Sequence, residues 1–487
     1  MRYISTRGMD IANSSMEAIV NGIANDSGLY VPEIIPRLSE QELVRFSKLT
    51  YNDLALEIIS KYFLDLGKEN IAQAINRAYN DRFEVKIENN FLELYHGPTL
   101  AFKDAALLLL PYLIKLSKDK LNINNKTIIL TATSGDTGKA ALEGFKNIDG
   151  IDVIVLYPKD GVSDIQKYQM ITQEGNNLKV IAIEGNFDDA QSAAKSIFLD
   201  KNIEKILKAN KLNISSANSI NIGRLVPQIV YYFYAYFDKV NSGKLSLGEK
   251  INISVPTGNF GNILAAYYAK TMGLPIKKLI CASNVNNVLT DFFNTGVYDI
   301  NRTFKITETP SMDILISSNL ERLLFEISDR DSLKVKQCME NLKNDFSYKI
   351  DEEMKKKLKG FYANYSTDEE VKKRINEVYN KYNYLIDTHT AVAYDVYMKY
   401  VEESKDNSEY IIVSTASPFK FIRSILNALG TSTIGKSDFE LVKDLSKQYS
   451  LTIPNGIKDL NKKEIKHNIN CGKDEIKELI STLLMEG

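Results

Sequence analysis

From about residue 90 the chain alternates short β-branched runs with glycine-containing turns and helical segments, and this alternation limits the folds open to it. TIILTAT (127–133) reads as a buried strand, followed by the turn SGDTG and the helix GKAALEGFK. DVIVLYP and KVIAIEG are two more strands. INISVPT (251–257) runs through GNFGN into the helix ILAAYYAKTM, and KKLICAS and YIIVSTA (410–416) follow. Such repeats predict an α/β fold with mainly parallel sheets covered on both faces. Ligands then collect at the carboxyl ends of the strands, where βα turns meet helix N-termini.

The rest of the chain is expected to be helical. Residues 1–85 form a helical module in which Ser39 caps SEQELVRFSKL, and residues 86–430 form the α/β region. Within that region, about 105–225 is expected to be a small movable domain. The charged stretch 318–382 is expected to be a solvated helical insertion, and 431–487 a helical tail. A net charge of −1 with pI near 6.4 gives no electrostatic reason to expect nucleic-acid binding. The apolar runs are too short for a membrane span, and the N-terminal MRYISTRGMDIANSS lacks a signal core, so a cytoplasmic location is expected. Cys281, Cys338 and Cys471 are dispersed, and with only His96, His389 and His467 beside them no zinc-ligand spacing occurs. His389 is read as a capping or packing residue, and His467 as solvent-facing.

Four stretches could carry chemistry. In YHGPTLAFKD, Lys103 sits between a Gly-Pro turn and AALLLLPYLIKL, a helix that Pro111 is expected to bend. A lysine in such surroundings is paired or chemically used. Its neighbour Asp104 could hold it as an ion pair, although consecutive helical residues do not face each other. Gly258-Asn259-Phe260-Gly261-Asn262 joins a strand to a helix and is either a phosphate cradle or a tight βα turn. Ser134-Gly135-Asp136-Thr137-Gly138-Lys139 lacks the spacing of a nucleotide P-loop at both ends. What remains is a hydroxyl-rich helix start suited to a carboxylate, or ordinary capping. Asn218-Ser219-Ile220-Asn221-Ile222-Gly223-Arg224 gathers amide, hydroxyl and guanidinium donors that suit an oxyanion, or form a helix cap beside a surface arginine.

The order of these stretches is more specific than any one of them. HGPTLAFKD, TSGDTG, NFDDAQ, NSINIGR, PTGNFGN and STASPFKF, with YISTRG and GLYVP near the N-terminus, resemble the threonine synthase family over about residues 1–425. More broadly they resemble the tryptophan synthase β-like (fold type II) enzymes that use pyridoxal 5′-phosphate (PLP). The resemblance implies that Lys103 binds PLP covalently and moves protons at the substrate. It implies that Gly258, Asn259, Phe260, Gly261 and Asn262 hold the cofactor phosphate and that Thr415 faces the pyridine nitrogen. Ser134, Asp136 and Thr137 would approach the substrate carboxylate and the cofactor's 3′-oxygen. Asn218, Ser219 and Arg224 would hold the substrate phosphate.

The reaction implied converts O-phospho-L-homoserine and water to L-threonine and phosphate, in a monomer or homodimer. A serine/threonine dehydratase or a phospho-lyase is the alternative. Ser417 stands where family members often carry histidine, which leaves any acid-base role there without its group.

Overall fold

In the computed structural model, which describes residues 1–133, 135–198 and 200–486, the strand Ile251–Pro256 is buried at every position and pairs in parallel on both sides. Its largely apolar run suits a central strand. It lies within a six-stranded sheet whose spatial order is Phe361–Tyr365, Ile276–Ser283, Ile251–Pro256, Tyr410–Ser414, Phe91–His96 and Glu84–Glu88. The first five strands are parallel, and only Glu84–Glu88 runs against its neighbour. Alternate residues feed two different cores, as a two-residue period requires. Ile411 and Val413 join the helix Gly261–Met272 in one core, whereas Ile412 joins the helix Thr388–Ser404 in the other.

A second sheet of five strands, all parallel, has the order Ile469–Gly472, Leu178–Glu184, Ile151–Pro158, Lys126–Ala132, Leu212–Ser215. Its outermost strand comes from the segment expected to be only a helical tail. Ile469–Gly472 carries one buried residue, Cys471, so its sequence pattern is faint. The helix Ile476–Glu486 then covers the sheet with Ile476, Ile480 and Leu484.

Two further expectations are corrected. The 318–382 stretch supplies the edge strand Phe361–Tyr365 of the large sheet and a short strand, Ser347–Lys349, paired with Val297–Asp299. Lysine-rich flanks mask both. The N-terminal module contains the expected helices Glu40–Phe46, Tyr51–Tyr62 and Lys68–Tyr79, with Ser39 and Glu42 forming a capping box. It also contains a three-stranded antiparallel sheet of Ile11–Ala12, Tyr3–Ser5 and Tyr30–Pro32.

Pro111 starts a helix rather than bending one. Asp104–Leu107 ends before it, and Leu110–Lys120 begins with it in the first turn, where a missing N–H costs nothing. Among the described residues, no helix is long and apolar enough to cross a membrane.

Candidate active site

Lys103 is held by a turn fastened to the opposite loop. The strand Phe91–His96 ends where Glu93 accepts from Tyr95 Oη at 2.7 Å and pairs with His96 Nε2 at 2.6 Å. Leu100 then adopts a left-handed φ of 60°, which a leucine seldom occupies. Phe102 N donates to Thr415 O at 2.8 Å, Ser417 N donates to Leu100 O at 3.1 Å, and Ala101 bridges Ala416. These bonds offset the cost of that backbone and set Lys103 beside STASP.

The Lys103 side chain is 14% exposed, and its Nζ lies 3.9 Å from Asp136 Oδ2. Burial pushes its pKa down to about 8; Lys420 and Arg224 push the same way, and Asp136 opposes them. Asp104 does not pair with it. Its carboxylate accepts from Thr99 N at 2.9 Å and Thr99 Oγ1 at 2.6 Å, and burial raises its pKa to about 6.

The partner of Asp136 is a second lysine that the sequence does not single out. Lys420 is fully buried, with Nζ 2.6 Å from Asp136 Oδ1 and 2.9 Å from Thr99 O. Gln166 Nε2 donates to Asp136 Oδ1 at 3.0 Å, and Ser311 Oγ donates to Oδ2 at 3.3 Å. Burial alone would raise the pKa of Asp136, but Lys420, Lys103 and these donors hold it well below the usual carboxylate range. With its carboxylate so committed, Asp136 has only its backbone N–H to offer an anion. Thr137 follows it at the start of the helix Asp136–Phe145. Ser134 lies outside the described residues.

The GNFGN turn lies on the far side of Ser311. A Cβ on Gly258 would meet Ser311 O at 2.8 Å, so this glycine makes room for the Ser311 backbone. Phe260 has a φ of 61° and caps the helix Gly261–Met272, whose first N–H groups have no intrahelical acceptor. Its ring stacks on Phe293 at 5.9 Å in the core, so only its backbone is available to a ligand. Asn259 is exposed. Asn262 Oδ1 accepts from Tyr231 and Tyr232 at 2.5 and 2.6 Å, while its Nδ2 is buried without a hydrogen-bond partner among the described residues.

NSINIGR closes the other side. Arg224 is buried rather than on the surface; Nη1 donates to Ala217 O at 2.7 Å, and Nε has no partner among the described residues. Burial lowers its pKa to about 10. Ser219 N donates to Asn218 Oδ1 at 2.6 Å, and a Cβ on Gly261 would lie 3.8 Å from Ser219 Cβ. The two loops are therefore adjacent.

Asn319 joins them, and it comes from the stretch read as a solvated insertion. Its Nδ2 donates to Ser219 Oγ at 3.2 Å and to Asn259 O at 3.0 Å. Arg322, fully buried, donates to Asn319 Oδ1 at 2.6 Å, to Ile220 O at 2.5 Å and to Tyr30 O at 3.0 Å. Glu321 takes Arg7 Nε at 3.0 Å and Nη2 at 2.9 Å, and accepts from Thr6 Oγ1 at 2.5 Å. The N-terminal YISTRG and GLYVP motifs thus brace the turn that ties the two anion-seeking loops together.

His389 is buried, as its packing role requires. Its Nδ1 pairs with Asp387 at 2.9 Å and its Nε2 accepts from Ser311 N at 3.3 Å. His467, expected to face solvent, is half-buried with Nε2 2.9 Å from Gln173 O, and burial lowers its pKa.

A helix-start cradle, an unpartnered Asn262 amide and a lysine of depressed pKa fit a phosphate-bearing aldehyde cofactor. These are the parts of a PLP-dependent enzyme. Residues 91–416 match the family described as pyridoxal-phosphate dependent enzyme. Residues 2–79 and 390–478 match the threonine synthase N terminus and the threonine synthase C-terminal region. The chain belongs to the threonine synthase family.

It is 34% identical to the threonine synthase of Eremothecium gossypii, over 99% of this chain and 98% of that protein. It is 40% identical to the Homo sapiens protein named threonine synthase-like 1, over 86% of this chain but only 58% of that longer protein. The crystal structure of PLP-bound threonine synthase from Brucella melitensis superposes with a TM-score of 0.87 at 32% identity, covering 100% of this chain and 99% of that one.

Proposed function

We propose that this chain converts O-phospho-L-homoserine and water to L-threonine and phosphate. The observation that carries this reading is the position of Lys103, whose pKa is lowered to about 8. Among the charges that act on it is that of the buried Arg224, whose Nε has no partner among the described residues. When bound, PLP supplies an electron sink that acidifies protons on the carbons next to the substrate nitrogen.

The residues divide the remaining work. Gly258, Asn259, Phe260, Gly261 and Asn262 offer N–H groups at a helix start to the cofactor phosphate, with Asn262 Nδ2 as a further donor. Thr415 supplies a neutral hydroxyl for the ring nitrogen. Lys103 Nζ is the covalent attachment point and, once freed, the base that takes and returns protons at the substrate carbons. Its lowered pKa keeps a useful fraction of neutral amine near neutral pH. Arg224 with Asn218 and Ser219 receives the leaving phosphate, and a guanidinium already desolvated binds such an anion strongly.

Ser134, Thr137 and the N–H of Asp136 suit the substrate carboxylate, while the Asp136 carboxylate serves as counter-charge to Lys103. About 105–225 is the small domain that would close over the substrate. Three unpaired cysteines fit a reducing cytoplasm, and the working unit is a monomer or homodimer.

Phosphate release from O-phosphohomoserine that depends on added PLP tests the reading. Borohydride reduction with peptide mapping should place the cofactor on Lys103. Attachment elsewhere, or release without PLP, would contradict it.

A further inference from the structure

Lys420 is a fully buried charged group of the site and has no role in the chemistry described above. It follows the strand Tyr410–Ser414 of the six-stranded sheet, whereas Asp136 follows Lys126–Ala132 of the five-stranded sheet. Their 2.6 Å contact therefore links the two sheets directly at the reactive amine. A buried ammonium is costly unless its partners are fixed. Here they are Asp136 Oδ1 and Thr99 O, the latter within the turn that presents Lys103.

We propose that Lys420 is a positioning residue for Lys103, anchoring Asp136 so that its carboxylate stands at Lys103 Nζ as a fixed counter-charge. Lys420 occupies one carboxylate oxygen and leaves the other, Oδ2, toward Lys103 at 3.9 Å and Ser311 Oγ at 3.3 Å. The charged groups facing this cluster are Lys103, Lys420, Asp136 and Arg224, with Asp104 turned to Thr99. His389, paired with Asp387, approaches only through the Ser311 N–H. Burial is the main cause that opposes protonation at Lys103; Asp136 favours it, and Lys420 and Arg224 offset part of that counter-charge.

The inference rests on Lys103 being the cofactor lysine, and its test needs no substrate. The pH midpoint of the cofactor's visible absorbance is measured in the holoenzyme for wild type, Lys420→Met, Lys420→Arg, Asp136→Asn, and Lys420→Met combined with Asp136→Asn. Loss of the Asp136 charge should lower the midpoint by about one pH unit in the wild-type background, and by less than half as much in the Lys420→Met background, where the carboxylate is no longer anchored. Lys420→Arg, which restores the charge, should stay within about 0.3 unit of wild type.

An Asp136→Asn shift of equal size in the wild-type and Lys420→Met backgrounds would overturn the proposal. If Lys420→Met does not fold, an unmoved midpoint in Asp136→Asn would overturn it equally. A protein that shows these shifts but makes no threonine would refute the proposed reaction and leave this inference standing.

Discussion

Asn319 donates to Ser219 Oγ at 3.2 Å, across 100 residues of sequence, and the same amide nitrogen reaches the carbonyl of Asn259 at 3.0 Å. One side chain thereby fixes the spacing between the turn assigned to the cofactor phosphate and the loop assigned to the substrate phosphate. Asn319→Ala should weaken both together. Each lost anchor is worth about 1–2 kcal/mol, or roughly 5- to 30-fold in the PLP dissociation constant and in KM. Equilibrium titration with PLP and steady-state kinetics check this; a change in only one constant would contradict the coupling.

Arg224 is buried without a carboxylate partner, an arrangement that costs stability when its anion is absent. Arg224→Met should therefore keep or raise the unfolding temperature of the ligand-free protein while lowering kcat/KM by about 100-fold or more. With PLP filling the cofactor cradle, inorganic phosphate should stabilise the wild type against heat and leave the variant unmoved, as thermal unfolding with and without phosphate would show.

Lys103 gives a pH signature in the cofactor-free protein. Its folded pKa of about 8 lies below the usual 10.5, so below pH 8 the fold holds a charge it disfavours. Between pH 8 and about 10.5 the unfolded chain binds more protons, and stability from this group rises with pH. Lys103→Met should be more stable than wild type at pH 7 by about 3 kcal/mol. That advantage should fade as pH rises toward about 10, which urea unfolding at several pH values would measure.

Asp104 works in the opposite sense. Its folded pKa of about 6 exceeds the usual 3.8, so the stability tied to its protonated form is lost as pH rises from 3.8 through 6. Asparagine can keep both bonds to Thr99, accepting from its N–H and donating to its hydroxyl. Asp104→Asn should raise the unfolding temperature at pH 8 and match wild type near pH 4, with the cofactor still on Lys103.

The sequence makes the local chemistry legible and hides what tertiary packing supplies. Lys103, GNFGN and Arg224 stand out because a lysine beside an apolar run, paired glycines at a helix start and an arginine among amides carry their meaning in adjacent letters. Asn319, Arg322 and Lys420 do not, because each acts on atoms 60 to more than 300 residues away. The strand Phe361–Tyr365 was obscured by charged neighbours, and Ile469–Gly472 by its single buried residue. The surface alternative for Arg224 is excluded by its burial, which is a property of what folds over it.

The central claim is tested most directly by the products formed from O-phospho-L-homoserine. With PLP present, threonine and phosphate should appear in equal amounts, and Lys103→Ala should abolish both. Phosphate released with 2-oxobutanoate as the main carbon product would contradict the synthase reading and establish the lyase alternative.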